Sequence, residues 1–330
     1  MLFHKLVMFV LSLIVLFSSS CAYADFLTLA DKDRWKVMTE SQQSHAPPFT
    51  SIYFFDENHG VATSPTKIRT TCDGGTTWDT SKQDDDIVFL SVSFRGGEIG
   101  WVLGVRDKHL VLMRSSDKGR TWDEMSLEQT TREIANRNVG IPTDFCSNDD
   151  DSLWIGGDQG IIRLNIHGDE VSVNVSSTDQ KNIRSIACQN SGSLWAVSDD
   201  LIIKYDNGWN TAYEDLDFLP AKIRIQDETV WVVGGKPNDS GAVVIKGSAN
   251  GGNWKEKSFS FPGAALDIYT LNNIGWLVGA GGSILHTVDN GESWQSVSSP
   301  STNDLMAIYF IKPGLGWIAG DRSTILKLSH

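Results

Sequence analysis

The stretch ALDIYTLNNIGWLVGAGGSILHTVDNGESWQSV, residues 265–297, decides the fold of this chain of 330 residues. Residues 266–270 alternate in polarity, and residues 275–279 form a nearly continuous apolar run. Two further short segments follow at residues 284–287 and 294–297. Short runs rich in β-branched and aromatic residues predict strands, and the Asn-Asn, Gly-Gly and Asp-Asn-Gly sequences between them predict turns. The stretch therefore predicts four antiparallel strands.

The second of these strands opens with Trp276 and closes on a small residue three positions later, and this phrase recurs along the chain. Its copies begin at Val61, Trp101, Trp154, Trp195, Trp231, Trp276 and Trp317, with spacings of 40, 53, 41, 36, 45 and 41 residues. A period near forty that holds only β-type segments is typical of a β-propeller. The sequence therefore predicts an all-β fold, a seven-bladed propeller of four-stranded antiparallel blades.

The last copy, from Asp304 to Ser329, has only three strands before the chain stops. The segment from Trp35 to Met38 resembles the fourth strand of the preceding copy. We expect it to pair near residues 325–328 as the outer strand of the last blade, because this closes the ring and covers an open sheet edge.

The first 24 residues stand apart from the repeats. Lys5 precedes an apolar run from Leu6 to Phe17, and Ala22-Tyr23-Ala24 fits a small-x-small cleavage site. This pattern predicts a secretory signal peptide at residues 1–24, followed by one propeller domain at residues 25–330. Lipid attachment at Cys21 is an alternative. We expect a periplasmic or secreted protein with no transmembrane span after cleavage.

Net charge limits the partners. Loss of Lys5 with the signal peptide changes the formal charge from −13 to −14. Strong acidity argues against binding to nucleic acid. The aspartate runs at residues 84–86 and 149–151 lack the ligand spacing of an EF-hand, so we predict no metal site, no cofactor and no catalytic residue. We expect a monomer.

Three cysteines follow the predicted cleavage site, and none lies in a Cys-x-x-Cys motif. Cys146 and Cys188 precede the Trp154 and Trp195 strands at matching places in adjacent repeats. Export permits a disulfide between them. Matching positions on neighbouring blades are often too distant, since the Cα atoms must approach within about 7 Å. Two small buried thiols are therefore the alternative.

A second motif, Asp-x-Gly-x-Thr/Ser-Trp, marks the turn before the fourth strand. Its three intact copies are Asp73, Gly75 and Trp78; Asp117, Gly119 and Trp122; and Asp289, Gly291 and Trp294. The aspartate can accept hydrogen bonds from turn amides, the glycine supplies a positive φ, and the tryptophan packs between sheets. We therefore expect these residues to be structural.

This motif resembles the Asp-box (BNR) repeat of sialidases. That resemblance implies an arginine in an Arg-Ile-Pro motif, which the chain lacks; Ile141-Pro142 follows Gly140, and Arg224-Ile225-Gln226 has no proline. We therefore predict no enzyme activity. A glycan-binding or glycoside-hydrolase-like propeller remains the alternative.

A second resemblance is to the secreted seven-bladed propellers related to the photosystem II stability/assembly factor. The phrases at residues 52–60, 279–291 and 308–317 carry it. It implies a non-enzymatic scaffold that binds an extracytoplasmic protein or peptide during assembly of a membrane complex.

Four arginines are candidate contact residues for such a partner. Arg132 and Arg137 lie in the long segment from Ser126 to Ile141, and Arg106 and Arg322 follow second strands. In a propeller, loops that enter first strands share one face with loops that join second and third strands. The alternative is that these four residues are ordinary solvent-exposed arginines in loops.

Overall fold

The computed structural model describes residues 35–94, 97–149, 152–167, 170–176, 181–189, 193–226, 228–236, 241–260 and 262–329. Within these residues the chain forms seven four-stranded antiparallel sheets. They are the blades of the predicted propeller. The predicted signal peptide and the alternative lipid site at Cys21 lie outside the described residues.

The strands fall into four sets by their distance from the central axis. The innermost strands of blades one to seven are β2 (Ser51–Phe54), β6 (Val88–Phe94), β10 (Pro142–Asp149), β14 (Ile183–Cys188), β18 (Leu219–Gln226), β22 (Ala265–Leu271) and β26 (Leu305–Lys312). The second strands are β3 (Gly60–Ser64), β7 (Gly100–Arg106), β11 (Ser152–Gly157), β15 (Leu194–Ser198), β19 (Thr229–Gly235), β23 (Ile274–Gly279) and β27 (Leu315–Gly320).

The third and outer sets complete the blades. The third strands are β4 (Lys67–Thr71), β8 (His109–Ser115), β12 (Gly160–His167), β16 (Ile202–Tyr205), β20 (Gly241–Ser248), β24 (Ile284–Thr287) and β28 (Thr324–Ser329). The outer strands are β5 (Asp79–Gln83), β9 (Asp123–Glu124), β13 (Glu170–Ser176), β17 (Trp209–Tyr213), β21 (Lys255–Ser260), β25 (Gln295–Val297) and, for blade seven, β1 (Trp35–Thr39).

The ring closes as predicted. Strand β1 pairs antiparallel with β28, with Trp35 opposite Leu328 and Val37 opposite Leu326. Trp35 is only 2% exposed and meets Trp276 edge to face, with ring centroids 5.4 Å apart. The first described strand therefore supplies both an edge for the last blade and a side chain for the core between blades six and seven.

A basic side chain lies over the ring of most second-strand tryptophans. The pairs are Arg114 over Trp101, Arg163 over Trp154, Lys204 over Trp195, Lys246 over Trp231 and Lys327 over Trp317, with 5.1–5.7 Å to the ring centroid. Each basic residue lies on the third strand, directly opposite its tryptophan on the second strand. Such cation–π contacts let a charged side chain cover an otherwise apolar surface.

The Asp-box turns share one hydrogen-bond network. Asp289 accepts bonds from Thr287 Oγ1 (2.8 Å), Ser293 N (2.8 Å) and Ser293 Oγ (2.6 Å). The turns at Asp73 and Asp117 repeat this pattern. The hydroxyl two residues before the aspartate also accepts a bond from the motif glycine, which the sequence motif did not include. At Gly119 φ is +81°, and a Cβ would lie 2.6 Å from Val61, so only glycine fits.

We expect Asp289→Ala to lower the free energy of unfolding at pH 7 by about 1 kcal/mol, the usual effect of losing a partly exposed capping group. Burial raises the pKa of Asp289, but bonds from Ser293 and Thr287 outweigh it and lower the pKa to about 2. Because the pKa of Asp289 is lower in the folded state, its carboxylate stabilises the fold at pH values above the unfolded pKa of 3.8. This stabilisation is lost as the pH falls towards 2.

Urea unfolding of wild type and variant at several pH values checks this prediction. The difference between them should be full above pH 5 and should disappear near pH 2. A difference that stays constant down to pH 2 would contradict the assignment of the stabilising form as the carboxylate.

Two local features differ from the sequence predictions. The segment from Ser126 to Ile141 was expected to be a loop, but it contains a helix, α1 (Gln129–Val139), with Ala135 and Val139 buried. Trp209 belongs to neither of the two repeated sequence motifs, yet it opens outer strand β17 and meets Trp154 at right angles, with ring centroids 6.4 Å apart. In both cases apolar side chains pack into the core through tertiary contacts that the repeated sequence motifs do not predict.

Candidate functional site

The inner strands repeat one local pattern around the channel. Six of them carry a register shift after their first or second residue. The residue after the shift belongs to what we call the upper layer, which takes one residue from each inner strand. Its members are Ser51, Ser91, Asp144, Ser185, Lys222, Asp267 and Ala307. Two residues further on lies the lower layer, with members Tyr53, Ser93, Cys146, Ala187, Arg224, Tyr269 and Tyr309. Residues two apart in a strand point to the same face, so each layer is one ring of side chains.

The residues between the two layers are apolar and buried in every blade. They are Ile52, Val92, Phe145, Ile186, Ile223, Ile268 and Ile308. These side chains fill the space between blades, while the two layers carry the polar groups. This alternation is the reason polar and charged side chains lie near the propeller axis.

Upper-layer oxygens connect neighbouring blades. The bonds run from Val92 N to Ser51 Oγ, Ile186 N to Asp144 Oδ2, Ile223 N to Ser185 Oγ and Ile308 N to Asp267 Oδ2, at 3.0–3.3 Å. Each bond satisfies a backbone N–H that faces the preceding blade. The upper layer thus joins the inner strands as well as lining the channel.

Two ion pairs stand in the channel wall. Lys222 Nζ lies 2.8 Å from Asp144 Oδ2, across the strand of blade four. Arg224 binds Asp267 through two parallel bonds, Nε to Oδ1 at 3.0 Å and Nη2 to Oδ2 at 2.7 Å. Burial lowers the pKa of Arg224, but the nearby carboxylate of Asp267 raises it by more, so the guanidinium stays charged.

The tyrosines of the lower layer lie on three consecutive blades, six, seven and one. The rings of Tyr53 and Tyr309 are 4.8 Å apart, and Tyr269 lies 6.1 Å from Tyr309. Burial raises the pKa of Tyr309, and the neighbouring Tyr53 raises it further. This hydroxyl is therefore neutral and can act only as a hydrogen-bond donor or acceptor at ordinary pH.

A disulfide joins Cys146 and Cys188, with Cα atoms 5.6 Å apart. It links the inner strands of blades three and four. The sequence left a disulfide and two separate thiols as alternatives, and the structure decides for the disulfide. The physical reason is convergence: neighbouring blades approach each other most closely near the axis, where both cysteines lie. Cys72 is free and exposed.

These groups surround a cavity of about 280 Å³ in the channel. Its wall includes Asp144, Lys222, Arg224, Tyr53, Tyr309 and the disulfide. Among the described residues, no group of three or more histidines, cysteines, aspartates or glutamates is placed to hold a metal ion. The cavity wall is therefore polar, with two cations, the buried carboxylate of Asp144 and several hydroxyls.

The four predicted contact arginines all lie on segments of what we call the loop face, formed by loops that enter inner strands or join second and third strands. Arg106 ends β7, Arg132 and Arg137 lie on α1, and Arg322 lies in the short 3-10 turn before β28. Blade one separates Arg322 from Arg106. Arg106 is also engaged by two acids, with bonds to Glu124 (2.9 and 3.0 Å) and Asp84 (3.3 Å). The bonds to Glu124 raise its pKa against the opposing effect of burial.

Sequence reasoning missed an apolar feature of the same face. Among the described residues the large apolar side chains classed as exposed are Val37, Val88, Ile141, Val175 and Leu219. Val88, Ile141 and Leu219 all stand three residues before the upper layer, where an inner strand is entered. Aligning the seven copies on that layer would have found them, and also Lys222 and Asp267.

The described residues contain no helix long and apolar enough to cross a bilayer. The sequence model of one family, described as photosynthesis system II assembly factor YCF48, matches residues 28–198 and 238–329. A curated relative, photosystem II assembly lipoprotein Ycf48 of Synechococcus sp. (strain CC9902), is 22% identical over 343 residues, which cover 90% of this chain and 89% of the relative.

Solved structures share the fold. A chain described as YCF48 bound to D1 peptide has a TM-score of 0.69 and 20% identity, over 90% of this chain and 97% of that one. Virginiamycin B lyase from Staphylococcus aureus, as its selenomethionine derivative, has a TM-score of 0.65 and 13% identity, over 90% and 99%. Both an assembly factor and an enzyme therefore resemble this propeller in shape.

Proposed function

We propose that this chain, which belongs to the photosynthesis system II assembly factor YCF48 family, is an exported, non-enzymatic scaffold. It binds a protein or peptide partner during assembly or stabilisation of an envelope or membrane complex. The family match over most of the chain carries this proposal. The relative described as bound to D1 peptide supports a peptide as the kind of partner.

The non-enzymatic part draws support from the channel carboxylates. Glycosidases need a pair of carboxyl groups that are open to substrate. Here Asp267 is 2% exposed and accepts four hydrogen bonds, from Arg224 twice and from the amides of Ile268 and Ile308. Asp144, 7% exposed, is bonded to Ser185, Ile186 and Lys222. Both acids are thus engaged within the fold.

Export and anchoring rest on the N-terminal sequence. The signal-peptide pattern supports a location outside the cytoplasm, either periplasmic or secreted. The Synechococcus relative is named a lipoprotein. This name supports the alternative, in which cleavage falls before Cys21 and an acyl group on that cysteine holds the chain at a membrane.

The loop face is the proposed docking surface. It holds the arginines at positions 106, 132, 137 and 322, and three of the exposed apolar side chains open onto it. Apolar groups flanked by arginine are typical of protein interfaces. An acidic partner segment with apolar side chains would match this combination, since arginine binds carboxylates through two bonds.

We expect two sets of substitutions to reduce capture of the partner from an envelope extract. Replacing Arg106, Arg132, Arg137 and Arg322 together with alanine removes the carboxylate-binding groups. Replacing Ile141 and Leu219 with glutamate places charge where an apolar partner would bind. Each set should weaken binding by about tenfold or more, which corresponds to 1.4 kcal/mol.

The chain offers matched controls. Val37 and Val175, on outer strands, are 40% and 49% exposed, against 38% for Ile141 and 49% for Leu219. Their change to glutamate should leave capture intact. For the arginines, the control is alanine at the exposed residues Lys36, Lys118, Arg120 and Lys312, away from the loop face. Equal loss in test and control variants would contradict this surface. Turnover of a sialoside or a β-glucan by the purified protein would contradict the non-enzymatic function.

A further inference from the structure

The channel cavity has more hydrogen-bond donors than its own acceptors use. Lysine has three N–H donors and arginine has five. Among the bonds of the described residues, Lys222 donates one, to Asp144, and Arg224 donates two, to Asp267. Both bonded oxygens of Asp267 already accept two bonds, and Asp144 Oδ2 accepts three. Five N–H donors of these two wall residues thus make no bond within the described part of the chain.

The cations also stand in front of the carboxylates. The side chains of Lys222 and Arg224 are 24% and 31% exposed, whereas those of Asp144 and Asp267 are 7% and 2% exposed. A ligand in the cavity therefore meets the donors first. The acids lie behind the cations and accept bonds from the backbone of the next blade.

The two cations are neighbours in the cavity wall. Lys222 and Arg224 lie two residues apart on one face of β18, which places their backbones about 6.6 Å apart. Both side chains line the cavity, so a carboxylate in it can accept hydrogen bonds from these cations. The cavity volume of about 280 Å³ is just below the usual range for drug-sized ligands, so it suits a small end group.

We propose that this cavity binds a carboxylate ligand through Lys222 and Arg224, either a small carboxylic acid or the C-terminal carboxylate of a peptide. Both cations lie in residues 199–237, between the two segments that the family model matches. The proposal is independent of the loop-face contacts. The net charge of −13 makes general attraction of anions to the surface weak, so saturable binding requires a local site.

The test compares each acid with its neutral analogue on the purified protein. Trifluoroacetate and trifluoroacetamide are titrated by ¹⁹F NMR. A six-residue peptide of alanine and leucine, with a free or an amidated C-terminus, is titrated by calorimetry. We expect at least one acid to bind about tenfold or more tightly than its amide. Binding of trifluoroacetate identifies a small acid as sufficient, and binding of the peptide acid alone identifies a peptide terminus. Equal affinity for acid and amide in both series would overturn the proposal.

Variants locate the site. Lys222→Met should weaken acid binding by about tenfold, because it removes one of the two cations. Asp144→Asn should strengthen it about threefold, because it removes the internal carboxylate that competes for Lys222. A purely structural role for Asp144 would not raise affinity. Lys181→Met, which breaks the exposed pair with Asp200, is the control and should bind as wild type.

Circular dichroism and thermal melting show whether each variant is folded. If the Lys222→Met variant does not fold, the affinity of the Asp144→Asn variant for the acid decides whether the assignment holds. Unchanged or weaker acid binding by folded Asp144→Asn, or unchanged binding by folded Lys222→Met, would overturn the assignment. Partner capture from an envelope extract is measured separately, so failure here leaves the loop-face proposal standing.

Discussion

Arg224→Met should lower the free energy of unfolding by about 3–5 kcal/mol, the usual result of removing one partner of a buried ion pair. The variant leaves the carboxylate of Asp267, only 2% exposed, without its two guanidinium bonds. The amides of Ile268 and Ile308 still donate to it but do not balance its charge. Urea unfolding followed by tryptophan fluorescence measures the loss.

A double variant provides the control for this prediction. Arg224→Met combined with Asp267→Asn removes both charges and keeps an oxygen that can accept from the two amides. It should recover more than half of the lost stability, because replacing both members of a buried pair costs less than orphaning one. A loss below about 1 kcal/mol in the single variant, or equal losses in both, would show that burial of Asp267 does not govern stability here.

Removing the disulfide should cost about 4 kcal/mol. The cross-link joins residues 42 apart, and loop-closure entropy for that separation gives a value near this figure. Cys146→Ala with Cys188→Ala should therefore lower the melting temperature by roughly 8 °C, at the lower limit of the 2–4 °C per kcal/mol found for domains of about 150–250 residues. The disulfide also links blades three and four, neither of which carries one of the three intact Asp boxes.

Cys72→Ala is the control for the disulfide variant, because this cysteine is free and exposed. It should melt as wild type, and treatment of the Cys72→Ala protein with a thiol reductant should reproduce the loss seen in the double variant. If the double variant melts within one degree of wild type, the cross-link contributes no net stability, and the inner-strand hydrogen bonds between blades are sufficient.

Blade number, strand order and ring closure were predictable because each depends on local patterns that repeat. A tryptophan that opens a buried strand and an Asp-x-Gly turn have the same physical reason in every copy. The segment from Trp35 to Met38 could be placed on β28 because only one blade lacked a strand. The helix α1 was missed because it occurs once and no other copy marks it.

Only the tertiary structure decided what meets at the axis. The Cα distance between Cys146 and Cys188, and the pairing of Lys222 with Asp144 and of Arg224 with Asp267, join residues 42, 78 and 43 positions apart. Such contacts depend on the tilt and convergence of the inner strands, which a repeat pattern does not encode. The sequence by itself thus determined the ring, because each blade forms from short-range patterns that repeat. The arrangement of charges in the channel was decided by the tertiary structure, because it depends on how the seven blades pack together.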